Sequence, residues 1–267
     1  MRTSADLNVS GIIARGTFLA LIALSAAAPV HAVDGVIEIN QAKVEAGSGF
    51  PFVISQPGSY RLTGNLTVDQ NTTAIRIMTD NVTVDLNGFA IIGPTVCGGS
   101  PPVTPIECMP LGSGNGIVAD PNTTTSTILN GTVRGMGSGG VSVVGHSRIE
   151  GVHAINNGGA GIEASVGSVA SGNTANSNGI GGIALGFGCT VTGNTANNNA
   201  GFGISAREGS TVIGNTMRGN QGVGLNLPGG SASGYATNVL SGNNNGGAQV
   251  SGGLQMGTNI CNGATCP

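Results

Sequence analysis

The chain has 267 residues, 49 of them Gly, with 8% charged residues, no Trp and a formal net charge of −3. So few cations argue against nucleic acid or an anionic membrane surface as partner, because both need a basic patch. Val and Ile are nonetheless spread evenly along the chain, which points away from disorder and toward a repeat architecture.

In chain order, Arg2 and Arg15 precede the apolar run GTFLALIALSAAAPV, and Val30-His31-Ala32 fits a small-x-small cleavage site. Residues 1–32 therefore read as a secretory signal peptide cleaved after Ala32, which places the mature chain in the periplasm or outside the cell. No later segment reaches the roughly 18 uninterrupted apolar residues of a membrane span, so no membrane insertion is expected. The remaining chain, 33–267, carries 7 basic and 11 acidic side chains. Its first stretch, 33–53, reads as an N-terminal cap, with INQAKVEAG as a short amphipathic helix that plugs the first coil.

Export permits disulfides. Cys97 and Cys108 bracket CGGSPPVTPIEC inside a Pro-rich insertion, 93–114, and Cys261 and Cys266 lie in the tail, 251–267. Local pairing within each couple is the economical choice, although sequence does not fix connectivity. The insertion should protrude as a loop near the Asp85 coil, where long loops on rigid scaffolds tend to carry function.

The centre of the chain repeats every 21 residues. Gly161-Ile162, Gly182-Ile183, Gly203-Ile204 and Gly224-Leu225 fall in step, as do the triplets beginning Gly172, Gly193 and Gly214. Each unit holds three short alternating pieces, such as GIAL, TVTG and NTAN, with no room for a helix. At about 3.3 Å per residue three short strands and their turns use up one unit. The chain must then return to its start, about 4.8 Å further along. The fold class is all-β: a single-stranded parallel β-helix of roughly ten coils with a short N-terminal capping helix. Inward columns run Val141, Ile162, Ile183, Ile204, Leu225 and Val143, Ala164, Leu185, Ala206, Leu227. Asn173, Asn194 and Asn215 form a structural column at a turn, where an inward amide can satisfy backbone groups and the next Asn. Cys189 aligns with Ser147, Ser168 and Ser210, a slot for a small packed side chain.

These units resemble the right-handed parallel β-helix repeats of the pectin lyase-like superfamily, especially its NosD-type and carbohydrate-associated groups. The segment ISQPGSYRLTGNLTVDQNTTAIRIMTDNVTVDLNGFAIIGP is similar to N-terminal coils of exported bacterial members. The resemblance covers nearly the whole mature chain and implies a fold more than an activity, because this fold hosts lyases, hydrolases, epimerases, adhesins and binding proteins. Lyases of the superfamily use a cationic base and often Ca²⁺, and its polygalacturonases use paired Asp residues with Gly-His-Gly. Here Lys43 is the only Lys, the Arg residues are scattered, Gly145-His146-Ser147 is a faint echo, and no Asp-Asp occurs.

One polar cluster stands out, HSRIEGVH. If Ile149 faces inward, Arg148 and Glu150 face outward together. With His146 they are the catalytic candidates, and Arg134, His153 and Glu163 on neighbouring rungs are ligand-binding candidates able to anchor a sugar acid. Against this stands a plain exposed Arg148–Glu150 pair of little energetic worth. Asp69, Asp80 and Asp85 are the only carboxylates suggesting Ca²⁺, and they do not share one loop, so no cofactor is expected. Repeated outward Thr, as in Thr190-Val191-Thr192, would suit an ice-binding or adhesive face, but the next coils do not keep that pattern. The functional expectation is an exported β-helix that binds or scaffolds polysaccharide or envelope components without catalysis. The alternative is a polysaccharide lyase or glycoside hydrolase acting on an acidic glycan. Oligomeric state is left open.

Overall fold

The computed structural model describes residues 35–101 and 103–266. The expected leader and its cleavage site lie outside the described residues.

The described residues wind into a right-handed parallel β-helix with three faces. Face 1 is a ladder of nine parallel strands from Phe52–Ile54 to Val250–Gly252. Face 2 carries Gly58–Leu62, Val82–Asp85 and, further on, Val169–Ser171, Thr190–Thr192 and Thr211–Ile213. Face 3 carries Ala90–Ile92, Thr174–Asn176, Thr195–Asn197 and Thr216–Arg218 among others. Two longer strands, Ser126–Arg134 and Arg148–Ile155, run through faces 2 and 3 and join them into one hydrogen-bonded sheet.

The register is that of the 21-residue repeat: Ile162 pairs with Ile183 and Ile183 with Ile204, so like residues stack on like. Strict alternation in strands of three residues buries the first and third side chains on face 1 and the middle one on most strands of faces 2 and 3. Val141, Ile162, Ile183, Ile204 and Leu225 are fully buried. So are Ala154, Ala175, Ala196, Met217 and Leu240 on face 3. No coil could bury these columns alone; each rung is covered by its neighbours.

Each of the three corners is built from a left-handed residue followed by a buried polar one. At the corner between faces 1 and 2, Gly167, Gly188 and Gly209 have φ of 63–75° and precede Ser168, Cys189 and Ser210. Between faces 2 and 3, Gly172, Gly193 and Gly214 precede Asn173, Asn194 and Asn215. Between faces 3 and 1, Ser177, Asn198 and Gly219 precede Asn178, Asn199 and Asn220. A left-handed backbone favours Gly, with Asn next, which accounts for the composition.

The polar residue after the bend ties its coil to the next. Asn194 Nδ2 donates to Ala170 O at 2.9 Å and to Asn215 Oδ1 at 3.0 Å, while Asn194 Oδ1 accepts from Asn173 N at 2.9 Å. The same ladder continues through Asn238 to Asn259. A second amide ladder, absent from the sequence reading, runs Asn157, Asn178, Asn199, Asn220, Asn243 and ends on Gln249. At the third corner the serines do this with hydroxyls, Ser147 N donating to Ser168 Oγ at 3.2 Å. Cys189 fills that slot, buried, with its sulfur 3.2 Å from Ser165 O.

At one end, helix α1 (Gln41–Ala46) starts at Asn40, whose side chain accepts from Lys43 N at 3.0 Å, and it presses Val44 into the core. At the other, Ile260–Cys261 turns back and pairs antiparallel with Ala264–Thr265, with Cys261 and Cys266 joined.

The 93–114 insertion departs from its expected position. It is an antiparallel hairpin, Val96–Ser100 with Thr104–Met109, closed by the expected Cys97–Cys108 disulfide. Instead of overhanging the Asp85 coil, it lies along the corner between faces 3 and 1. Both sulfurs sit 3.7 Å from Asn157 O, and its tip reaches the coils of Ala200 and Gln221. The corner is stripped of side chains beneath it: a Cβ on Gly179 would meet Cys108 Sγ at 3.0 Å, and one on Gly158 would meet Leu111 at 2.7 Å.

Candidate functional site

The residues of HSRIEGVH do not converge. Gly151, with φ +63°, bends the Arg148–Ile155 strand at the corner between faces 2 and 3, so residues on either side of it face different directions. Arg148 and Glu150 remain together on face 2, with Arg148 Nε donating to Glu150 Oε2 at 2.7 Å. Both side chains are about half exposed, at 55% and 43%. An open pair of this kind is worth little and leaves neither group free. His146 occupies the left-handed corner position (φ +56°) that Gly167 takes one coil on, and its ring lies over that glycine. His153 is beyond the bend on face 3, in register with Thr132 and Thr174, and Arg134 is its diagonal neighbour there.

Glu163 is on face 1, its rung neighbours Ser142 and Ala184. The six candidates are thus divided among three faces and a corner; they form no single acid–base site.

The early carboxylates are equally dispersed. Asp80 Oδ1 accepts from Thr124 N at 2.6 Å, whereas Asp85 faces Arg61 at 3.6 Å and accepts from Asn87 N at 2.9 Å. Among the described residues no three His, Cys, Asp or Glu gather in a metal-ligating group.

What the structure does bring together is a groove on face 1. The outward row of this face reads Arg76, Val118, Ser142, Glu163, Ala184, Ser205 and Asn226, one residue per rung. A cavity of about 780 Å³ opens over the first part, and Phe50, Pro51 and Thr72 border it at the N-terminal end. On its floor Arg76 makes two bonds to the carboxylate of Asp120, at 2.7 and 3.1 Å. Asp120, by accepting them, pushes the guanidinium further up from its already high range. A second hollow of about 430 Å³ continues it, sharing Val143 and Ser165, and holds Glu163, Phe187 and Arg207. Phe187 is 47% exposed, and the Arg207 guanidinium stands 5.4 Å from its ring centroid. A guanidinium over an exposed ring is an ordered, partly apolar platform.

Glu163 is among the ligand-binding candidates of the sequence, and Arg76 and Arg207 are among its scattered arginines; Phe187 and Arg207 lie in different coils, and only the winding stacks them.

Comparisons with known proteins follow the fold closely. A family model described as periplasmic copper-binding protein (NosD) matches residues 91–256. No curated protein sequence matches. The A-module of mannuronan C-5 epimerase AlgE4 from Azotobacter vinelandii is a structural neighbour at 17% identity and a TM-score of 0.50, over 81% of this chain and 70% of that one. An exopolygalacturonase from Thermotoga maritima aligns at 14% identity and a TM-score of 0.44, over 78% of this chain and 55% of its own. At 17% identity the likeness to the epimerase module shows the parallel β-helix fold alone and nothing about activity.

Copper, the metal in the family's description, calls for imidazole, thiolate or thioether donors in one place. Among the described residues the donor set does not fit. Cys97, Cys108, Cys261 and Cys266 are bonded to each other in pairs, and Cys189 is buried in the core, where desolvation pushes its thiol up. His146 and His153 lie on opposite sides of the Gly151 bend. Met136 and Met217 are fully buried, and Met78, Met109 and Met256 belong to well-separated segments.

Proposed function

The chain belongs to the NosD family, and we propose that it is an exported β-helix protein that binds or scaffolds polysaccharide or envelope components without turning them over. The observation that carries this reading is the Phe187–Arg207 platform beside a floor of small and hydroxylic side chains on face 1. A sugar offers an apolar face to a ring and hydroxyls to a rim of hydrogen-bonding groups, and this groove supplies both. Export agrees with the periplasmic description of the family and with the Cys97–Cys108 disulfide.

The absence of turnover in this reading rests on the floor's carboxylates. Glycoside hydrolysis by the common route needs two free carboxyl groups across one bond. Both Asp120 oxygens are held by Arg76, which leaves Glu163 as the carboxylate without a cation partner there among the described residues.

Binding to a panel of neutral and acidic oligosaccharides, with reducing-end and unsaturated-product assays on the same panel, tests the proposal. At least one glycan should be retained unchanged, and Phe187→Ala should weaken it about tenfold, ~1.4 kcal/mol. Product formation would replace the proposal with the lyase or hydrolase reading. Neither binding nor turnover on the whole panel would remove the glycan from it.

A further inference from the structure

Face 3 carries a second feature, independent of the groove. Its two outward rows read Thr132, His153, Thr174, Thr195, Thr216 and Arg134, Ile155, Asn176, Asn197, Arg218, one pair per rung. No carboxylate stands in either row, in a chain whose acidic residues outnumber its basic ones. Arg134 and Arg218 are in no ion pair among the described residues. They stand four rungs apart in the row, roughly 19 Å at the spacing of parallel strands.

Arg218 does not simply project into solvent. The tip of the disulfide-closed hairpin leans over its rung, and Ser100 and Pro101 form one wall of a hollow of about 540 Å³ whose other side is Asn197, Asn198, Arg218 and Ser241. Asn197 Oδ1 accepts from Arg218 N at 2.8 Å, so this amide's acceptor is used and its Nδ2 hydrogens remain available. The hollow thus holds one unpaired guanidinium, amide donors, hydroxyls and the apolar edge of a proline ring.

We propose that this hollow binds the anionic group of an acidic oligosaccharide, whose chain runs along the Thr and Asn rows of face 3 toward Arg134. Guanidinium binds carboxylate or sulfate through paired, charge-assisted hydrogen bonds. Two such anchors separated by a line of hydroxyls and amides match an extended polyhydroxylated polyanion better than a compact anion. Both rows lack carboxylates, so no like charge in them opposes such a chain.

The test is calorimetric titration of the purified chain with a long oligogalacturonate, a neutral oligosaccharide of equal length, and inorganic sulfate. The acidic oligosaccharide should bind, with affinity falling as salt rises. Arg218→Ala should weaken it about 10- to 100-fold, the loss of a hydrogen bond to a charged group. Arg134→Ala should weaken long oligomers and leave short ones unchanged. Phe187→Ala, on face 1, should have no effect on this binding, which separates the site from the groove. Arg218 is exposed and its backbone bond to Asn197 does not use its side chain, so both Arg218→Ala and Arg218→Lys should melt with the parent. Unchanged affinity for the acidic oligosaccharide in Arg218→Ala, neutral oligosaccharide binding that Arg218→Ala weakens equally, or sulfate binding as tightly as the oligomer would each overturn the proposal.

Discussion

Asn194 shows what single residues do in this molecule. It is 1% exposed, and its amide serves the backbone carbonyl of Ala170 and both amide groups of the Asn ladder around it. Truncation to Ala leaves Asn173 N–H buried with nothing to bond, strips Asn173 Nδ2 of one of its two acceptors while Ile149 O remains, and takes a donor from Ala170 C=O; a buried group left unmet costs about 1–3 kcal/mol. Asn194→Ala should therefore lose about 2–4 kcal/mol of stability in denaturant unfolding, near the upper end for one substitution. Asn197→Ala, three residues on, removes one acceptor at a half-buried surface position and should cost about 1 kcal/mol or less. Equal losses in the two variants would refute the ladder as the source of stability. The Asn173–Asn194–Asn215 column was legible in the sequence because the GNT triplet marks it. The parallel ladder through Asn157, Asn178, Asn199 and Asn220 was not, because it is immersed in Asn-rich turns whose inward and outward members look alike. What separates them is the left-handed residue just before each inward amide, a backbone property that Gly, Asn and Ser can all supply.

Among elements, the hairpin and the bent strands decide where function can reside. The sequence pattern placed the strands, the short helix and the Cys97–Cys108 staple, because period and spacing are local properties. It did not place the hairpin's seat, which depends on the glycines at 158, 179 and 201 lining up from three different coils. Nor did it show that Gly151 turns Glu150 and His153 onto separate faces, since an alternation reading assumes a straight strand. Closing the hairpin with a disulfide lowers the entropy of its open forms; for a loop of this order the chain-entropy model gives about 3 kcal/mol. The core columns lie beneath the corner and do not include the hairpin strands, apart from Ile106 and Cys108 at its inner side. Cys97→Ser with Cys108→Ser should therefore leave the cooperative melt of the coils nearly in place while protease cleavage at the hairpin tip rises strongly. A large fall in the melting temperature would show instead that the hairpin clamps the rod as a whole.

At the scale of the whole molecule the stacked coils carry a liability that one coil does not: each end of a parallel ladder presents unpaired N–H and C=O groups to any other strand. Helix α1 and Val44 deal with this at one end. At the other, Ile260–Cys261 adds a last parallel rung to Val239–Ser241 and then reverses direction, so that the exposed edge is a short antiparallel turn held by Cys261–Cys266. The same segment terminates an amide ladder, because Asn259 Oδ1 accepts from Asn238 N and Nδ2 at 2.9 and 3.0 Å and Asn259 O accepts from Cys266 N. In a linear array of coils stability is close to a sum of neighbour terms, so loss of a terminal unit should not unfold the interior. It should expose the edge. Removing residues 257–267 is thus expected to keep the β-rich circular dichroism spectrum, lower the melting temperature modestly, and convert a monodisperse sample into one whose light scattering grows with concentration. Cys261→Ser with Cys266→Ser, which retains the strand but frees the turn, should fall between the parent and the truncation. A truncated chain as monodisperse and as stable as the parent would mean that the tail decorates the end of the helix without protecting it.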